Sequence, residues 1–216
     1  MVGTSFSVII PTMWRSNKTS KLLKDLYDSK YIHEILIIDN DVTAKNIDLD
    51  QYKDKIKYYP QTKNIYVNPA WNLGVSLSQN DLLCICNDDI NFDVDDYIQF
   101  ILPNILKLGI FGANIRPYHK VTQDLLYKIN DDRITRAALS TQGFGMLMFI
   151  NKRNWIDIPT GLKIWFGDDW LTDKHKNIYS VNMVKTINAD KHTTASSPEL
   201  KEILKLDRIE WKRLKS

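Results

Sequence analysis

The chain has 216 residues, 44% apolar and 25% charged, which excludes a disordered or fibrous protein and describes a globular one with a sizeable core. No apolar run approaches the ~20 residues needed to cross a bilayer, and no basic segment followed by an apolar one opens the chain, so no membrane span or signal peptide is expected and a cytoplasmic location is. The net charge of +3 is unevenly spread: residues 1–108 hold 11 Lys and Arg against 14 Asp and Glu, and residues 109–216 hold 18 against 12. An acidic half suits a metal and its ligand, and a basic half suits an anionic partner.

Phe6–Ile10 is an apolar run ended by Pro11-Thr12 and predicts a first strand. A helix follows from about Lys18 to Ser29, with Leu22, Leu23, Leu26 and Tyr27 on one face and Asn17 placed to cap it. Glu34–Ile38 predicts a second strand, which runs into the polar Asp39-Asn40-Asp41, and Lys57–Tyr59 a short third. Asn68-Pro69 reads as a cap with proline at the first helical position, opening a helix through Ser78. Leu82–Cys86 reads as a fully buried strand ending at Asn87-Asp88-Asp89. Its cysteines, Cys84 and Cys86, point to one face and read as small buried residues in a reducing compartment. Strand and helix alternate over the first ~90 residues, which argues for a parallel α/β sheet.

The second half is less regular. Ile110–Ile115, Met146–Ile150 and Tyr179–Ile187 read as strands. Phe166–Leu171 reads as a loop opening a helix, with Asp168-Asp169 suited to its N-terminus. Ser197-Pro198 starts a final helix to about Lys215. On that helix Lys201, Lys205, Arg208, Lys212 and Lys215 form one stripe beside the apolar Leu200, Ile203, Leu204, Trp211 and Leu214. The stripe is either a solvated face or a surface for a polyanion. Trp71 reads as core, whereas Trp165 and Trp170 bracket the acidic pair and suit either core or a sugar platform. Gln142–Gly145 is a glycine-bearing approach to a strand, where backbone can come close to a ligand. Neither an internal repeat nor a linker divides the chain, so it reads as one domain.

Ligands of parallel α/β sheets bind beyond the carboxyl ends of the strands. Thr12, Asp39, Asn40, Asp88 and Asp89 all fall at such ends, which gathers them in one crevice. Adjacent carboxylates repel, and a cation relieves that repulsion. Mg²⁺ or Mn²⁺ would accept both carboxylate and phosphate oxygens there. The plainer alternative is a pair of acids that only ends a strand.

The wider pattern resembles the inverting GT-A glycosyltransferases, especially the family 2 group that uses nucleotide-activated sugars. Ser7–Thr12 looks like the opening strand of that group, and Glu34–Asp41 like its second strand and base-binding loop. Asn64, Asn72-Leu73-Gly74, Asn80-Asp81 and Asn87-Asp88-Asp89-Ile90 resemble the run into its metal motif. Gly145–Ile150 followed by Phe166–Leu171 resembles its acceptor-side strand and catalytic-acid motif. The likeness spans roughly residues 5 to 195.

The resemblance implies a mixed, mainly parallel sheet flanked by helices in one domain over residues 1–216, with a nucleotide-sugar half (1–92) and an acceptor half (93–216). It implies donor contacts from Pro11, Thr12, Asp39, Asn40, Asn72 and Asp88, metal ligation by Asp89 and His192, and a general base at Asp169 beside Asp168. Two departures stand out: the metal motif reads Asn-Asp-Asp, so Asn87 supplies no charge, and the catalytic motif reads Asp-Asp, which leaves the base open with Asp169 preferred by position. A UDP-sugar is the commonest donor of the group. The acceptor is a saccharide or lipid-linked saccharide, or hydroxymethylated DNA as in phage DNA-modifying enzymes. The competing readings are a nucleotidyltransferase, for which Met13–Asn17 offers no glycine- and lysine-rich phosphate loop, and a nucleic-acid binder without catalysis, which leaves the acidic crevice unexplained.

Overall fold

A computed structural model of the chain describes residues 4–108, 110–113, 134–136, 144–175, 178–181, 188–189 and 198–216. Strands β1 (Phe6–Thr12), β2 (Ile32–Asp39), β3 (Ile56–Pro60) and β4 (Leu82–Cys86) alternate with helices α1 (Thr19–Asp28) and α2 (Val67–Leu77). Then follow β5 (Ile90–Asn91), α3 (Val94–Leu108), β6 (Ile110–Ala113), β7 (Ile134–Arg136), β8 (Leu147–Asn151), α4 (Gly167–Lys174), β9 (Ile178–Val181), β10 (Asn188–Ala189) and α5 (Pro198–Lys215). One sheet has the order β3-β2-β1-β4-β8-β6-β9-β7, and β5 pairs with β10 separately.

The sheet is mixed and mainly parallel, as expected. β3, β2, β1 and β4 run parallel to one another. β8 is antiparallel to both β4 and β6, with Leu147 opposite Cys86. β8 therefore begins where β4 ends. That reversal delivers the turn before β8 to the carboxyl ends of the parallel strands, where the polar motifs lie.

Strand alternation explains the two-sided core. Val8 and Ile10 face one cluster and Ile9 the other; Ile35 and Ile37 oppose Leu36 and Ile38, and Cys84 and Cys86 oppose Leu83 and Ile85. A strand apolar on both faces belongs in a sheet covered on both sides. Leu22, Leu23 and Leu26 of α1 and Tyr97, Ile98 and Ile101 of α3 cover the first face. Ala70, Trp71 and Val75 of α2 and Leu171 of α4 cover the second, with Trp211 and Leu214 of α5 packed against it. Each fully buried Leu or Ile contributes roughly 1.5–3 kcal/mol. At the amino ends of the strands the buried Glu34 carboxylate accepts from Ser7 (2.6 Å), the Gln79 amide (2.6 Å) and Lys57 (2.5 Å), tying β1, β2, β3 and the α2–β4 turn.

Several local expectations change. Asn17 is exposed and does not cap α1. Ser16 serves that end, its hydroxyl accepting the Lys18 N–H at 3.1 Å. Asn68 does not cap α2: the helix begins at Val67, and Asn68 is fully buried inside its first turn. α3 has no counterpart in the sequence reading; it carries Pro103 inside it. Asp93 opens it by accepting the Asp96 N–H at 3.0 Å. The strand expected over Tyr179–Ile187 is described as Ile178–Val181, and residues 182–187, like Gln142 and Gly143, lie outside the described residues. No described helix is long and apolar enough to cross a membrane.

Candidate functional site

A cavity of about 420 Å³ opens beyond the carboxyl ends of β1, β2 and β4, and Pro11, Thr12, Asn40, Asp88 and Asp89 line it. Thr12 donates to the Asp88 carboxylate at 2.5 Å while accepting the Trp14 N–H at 2.9 Å. The Thr19 hydroxyl donates to the Asp88 carbonyl at 3.0 Å. Strand β1 and helix α1 thus hold Asp88 from two sides. Burial pushes its carboxyl up to about 6; the Thr12 bond opposes that rise and the Asp89 charge adds to it.

Asp39 and Asn72 do not line the cavity. Asp39 is fully buried, accepting from the Tyr58 hydroxyl (2.5 Å) and the Asp41 N–H (2.8 Å), so it shapes the loop that presents its neighbours. Burial and this carboxylate push the Tyr58 phenol up to about 12. Asn40 lines the cavity and accepts the Ile65 N–H at 3.0 Å. The Asn72 amide closes on Ile158 instead, donating to its carbonyl at 2.8 Å and accepting its N–H at 3.0 Å. A side chain committed at both ends braces the fold, and the donor contact expected of Asn72 gives way to that role. Asp41 and Asn64, from the expected base-binding loop and the run into the metal motif, also line the cavity, as do Arg15 and Tyr66, which the sequence left unmarked. The signal for Arg15 and Asp41 is their position just past a strand exit.

Asp168 and Asp169 do not line this cavity but are joined to it through one turn. The Asn87 N–H donates to the Met146 carbonyl at 3.0 Å. One residue away, the Gly145 N–H donates to Asp168 at 3.0 Å. The other Asp168 oxygen accepts the Asp169 N–H, also at 3.0 Å. A Cβ at Gly145 would lie 2.7 Å from the Trp71 ring and 3.3 Å from the Asp168 Cβ, so only glycine permits this approach. Trp71 is core, as expected, buried beneath that turn.

The two acids differ in environment. Burial pushes the Asp168 carboxyl up against the pull of its backbone donors. Asp169 is half-buried, and among the described residues nothing hydrogen-bonds its carboxylate. Burial and the Asp168 charge push it up to about 6, and Lys215 opposes them. Among the described residues, three non-glycine residues with positive φ border this region: Trp14 (58°) after β1, Tyr66 (69°) before α2 and Phe166 (65°) before α4. The Phe166 ring stacks on Trp211 of α5, centroids 5.4 Å apart and 8° from parallel. Within the basic stripe Lys205 pairs with Glu202 and Lys215 with Asp173.

Among the described residues no three His, Cys, Asp or Glu side chains converge as a complete metal site. Asp88 and Asp89 nonetheless fit Mg²⁺ or Mn²⁺, because such ions take one or two protein carboxylates and fill their other positions with phosphate oxygens and water. His192 lies outside the described residues.

The profile described as Glycosyl transferase family 2 matches residues 7–153, more than half of the chain. No curated protein matches the sequence. Among solved structures, TarS 1–349 of S. aureus in complex with UDP-GlcNAc is similar at a TM-score of 0.63 and 14% identity, over 95% of this chain and 66% of that one. GalNAc-T7 with UDP, GalNAc and Mn²⁺ is similar at 0.63 and 13%, over 98% and 50%. The mannosyltransferase PcManGT of Pyrobaculum calidifontis in complex with GDP-Man and Mn²⁺ is similar at 0.58 and 14%, over 81% and 56%. This chain therefore spans less than two thirds of each of these neighbours.

Proposed function

The chain belongs to glycosyl transferase family 2, and we propose that it moves a sugar from a nucleotide-sugar donor to an acceptor hydroxyl, inverting the anomeric carbon. One observation carries the proposal: the Asn87–Asp89 strand end is tied through the Gly145–Met146 turn to Asp168, whose neighbour Asp169 presents a carboxylate that nothing among the described residues hydrogen-bonds.

In this reading the nucleoside lies against Pro11, Thr12, Asn40 and Asp41. Arg15, the basic side chain among the described lining residues, faces the diphosphate. Asp88 and Asp89, with His192, hold Mn²⁺ or Mg²⁺. When bound, that ion neutralises charge growing on the departing diphosphate. Asp169 takes the proton of the acceptor hydroxyl as its oxygen attacks the anomeric carbon. A carboxyl at about 6 is mostly ionised at neutral pH and more basic than an ordinary one, which suits that task. Asp168 holds Asp169 and the Gly145 turn in register, since its oxygens already accept two N–H groups.

UDP-sugars are the first donors to test, because TarS and GalNAc-T7 were solved with UDP ligands. The acceptor is a saccharide hydroxyl. Hydroxymethylated DNA would use the α5 stripe as its phosphate surface, and two of those five cations are already paired. The test is a thermal-shift panel of UDP-, GDP- and dTDP-sugars with Mn²⁺ and with chelator. One nucleotide should raise the melting temperature only with metal, and Asp89→Ala should abolish that rise. A folded protein that responds to none, and consumes none with any acceptor, would refute the reading.

A further inference from the structure

Helix α5 lies beyond residue 153, where the family match ends. Its inner face carries Ile203, Trp211 and Leu214, and in the middle of that face sits Asp207 with no solvent exposure. A carboxylate buried there without donors would be strongly disfavoured. Three backbone N–H groups meet it: Lys163 at 3.0 Å, Ile164 at 2.9 Å and Trp165 at 2.9 Å. The carbonyls of the same segment are met from the other side by Asn68, also fully buried. Its backbone N–H donates to Lys163 at 2.9 Å, and its amide donates to Leu162 and Trp165 at 3.2 Å each. Leu162–Trp165 is neither helix nor strand, yet three of its N–H groups and three of its carbonyls are answered by two residues remote in sequence.

What this segment connects gives the clamp its meaning. Ile164 lines the donor cavity. Phe166 follows in the left-handed region, its ring stacked on Trp211. Gly167 comes next, and a Cβ there would lie 2.1 Å from the Asn68 side-chain oxygen, so the start of α4 rests on Asn68. Asp168 and Asp169 are the next two residues. We infer that Asp207 and Asn68 are positioning residues, which clamp Leu162–Trp165 and thereby fix Asp169 relative to the donor crevice, making α5 part of the transfer site. The catalytic side of this inference rests on the reading of Asp169 as the base; the clamp itself does not.

Asp207→Asn tests it, because the swap keeps the size and removes one accepting oxygen. In the substrate-free full chain, hydrogen exchange at the Lys163, Ile164 and Trp165 amides should accelerate at least about tenfold, and the Gly145 and Asp169 amides held by Asp168 should accelerate with them. With donor and acceptor, kcat should fall about 10- to 100-fold while the donor KM changes less than about threefold, as expected of a displaced base. Acceleration confined to residues 163–165, with Gly145 and Asp169 protected as in wild type and kcat unchanged, would overturn the inference. If Asp207→Asn does not fold, Trp211→Leu removes the stack on Phe166 and is read by the same amides and the same kcat. A wild-type protein that consumes no nucleotide sugar would defeat the transfer reading alone, since the exchange measurement decides the clamp without substrate.

Discussion

With metal saturating, so that Asp88 stays ionised, turnover should fall with acid as the Asp169 carboxyl is protonated. Asp169 sits at about 6 because burial and the Asp168 charge outweigh the nearby Lys215. A general base works only when ionised, so activity is present above that value and lost as pH falls through it. The ionised fraction is about nine-tenths at pH 7 and about one-tenth at pH 5, so kcat should drop about tenfold between them. The assay is donor consumption with donor, acceptor and metal all saturating, from about pH 4.5 to 8. Lys215→Gln removes the opposing cation and should move the midpoint upward. Asp169→Asn should abolish transfer and leave the metal-dependent donor shift intact. A kcat that stays flat to pH 5, or near-normal turnover in Asp169→Asn, would refute the assignment of the base.

Asp88→Asn should stabilise the metal-free protein by on the order of 2–3 kcal/mol at pH 7, because a buried carboxyl at about 6 is ionised against its preference. That penalty applies above the folded value and fades as pH falls toward the unfolded one, so urea titrations with chelator at pH 7 and pH 5 should show the gap between variant and wild type closing. Glu34→Gln should cost roughly 1–3 kcal/mol and leave the donor-induced thermal shift unchanged. Burial alone would raise the Glu34 carboxyl, but Lys57, Ser7 and the Gln79 amide together hold it below its ordinary value. Its contribution is therefore present above the ordinary carboxylate range and lost as pH falls through the folded value. Gly145→Ala should destabilise by roughly 1–3 kcal/mol, read by thermal melting, because its Cβ would press on the Trp71 ring.

The sheet and the crevice were legible where chemistry is local. Continuous apolar runs marked β1, β2 and β4, and polar residues just past them were bound to converge because parallel strands exit on one side. α3 went unread; it tolerates Pro103 because tertiary packing of Tyr97, Ile98, Ile101 and Ile105 holds the helix. Asn68 and Asn72 misled for a common reason. An asparagine beside a helix start offers the same groups whether it caps, binds a ligand or braces a distant loop, and their partners at residues 158–165 lie far along the chain. Asp207 did leave a signal: an acid at the centre of the 203–211–214 apolar spacing must face inward, and a buried carboxylate must find donors. Only the fold could say that those donors belong to the segment leading into Asp168.

Loop shape and core packing usually drift independently, because loops can be rebuilt without touching the interior. Here three corners bordering the site are turned by Trp14, Tyr66 and Phe166, where glycine would relieve about 1 kcal/mol of backbone strain at each. At two of them glycine is nevertheless barred: buried Trp14 belongs to one core cluster and the half-buried Phe166 packs against the other. Removing the buried Trp14 ring would cost about 3–5 kcal/mol, more than the strain it would relieve. The route of the chain around the crevice is thus written into its interior. A descendant of this protein could not reshape the Trp14 and Phe166 corners one residue at a time; it would have to replace loop and core together.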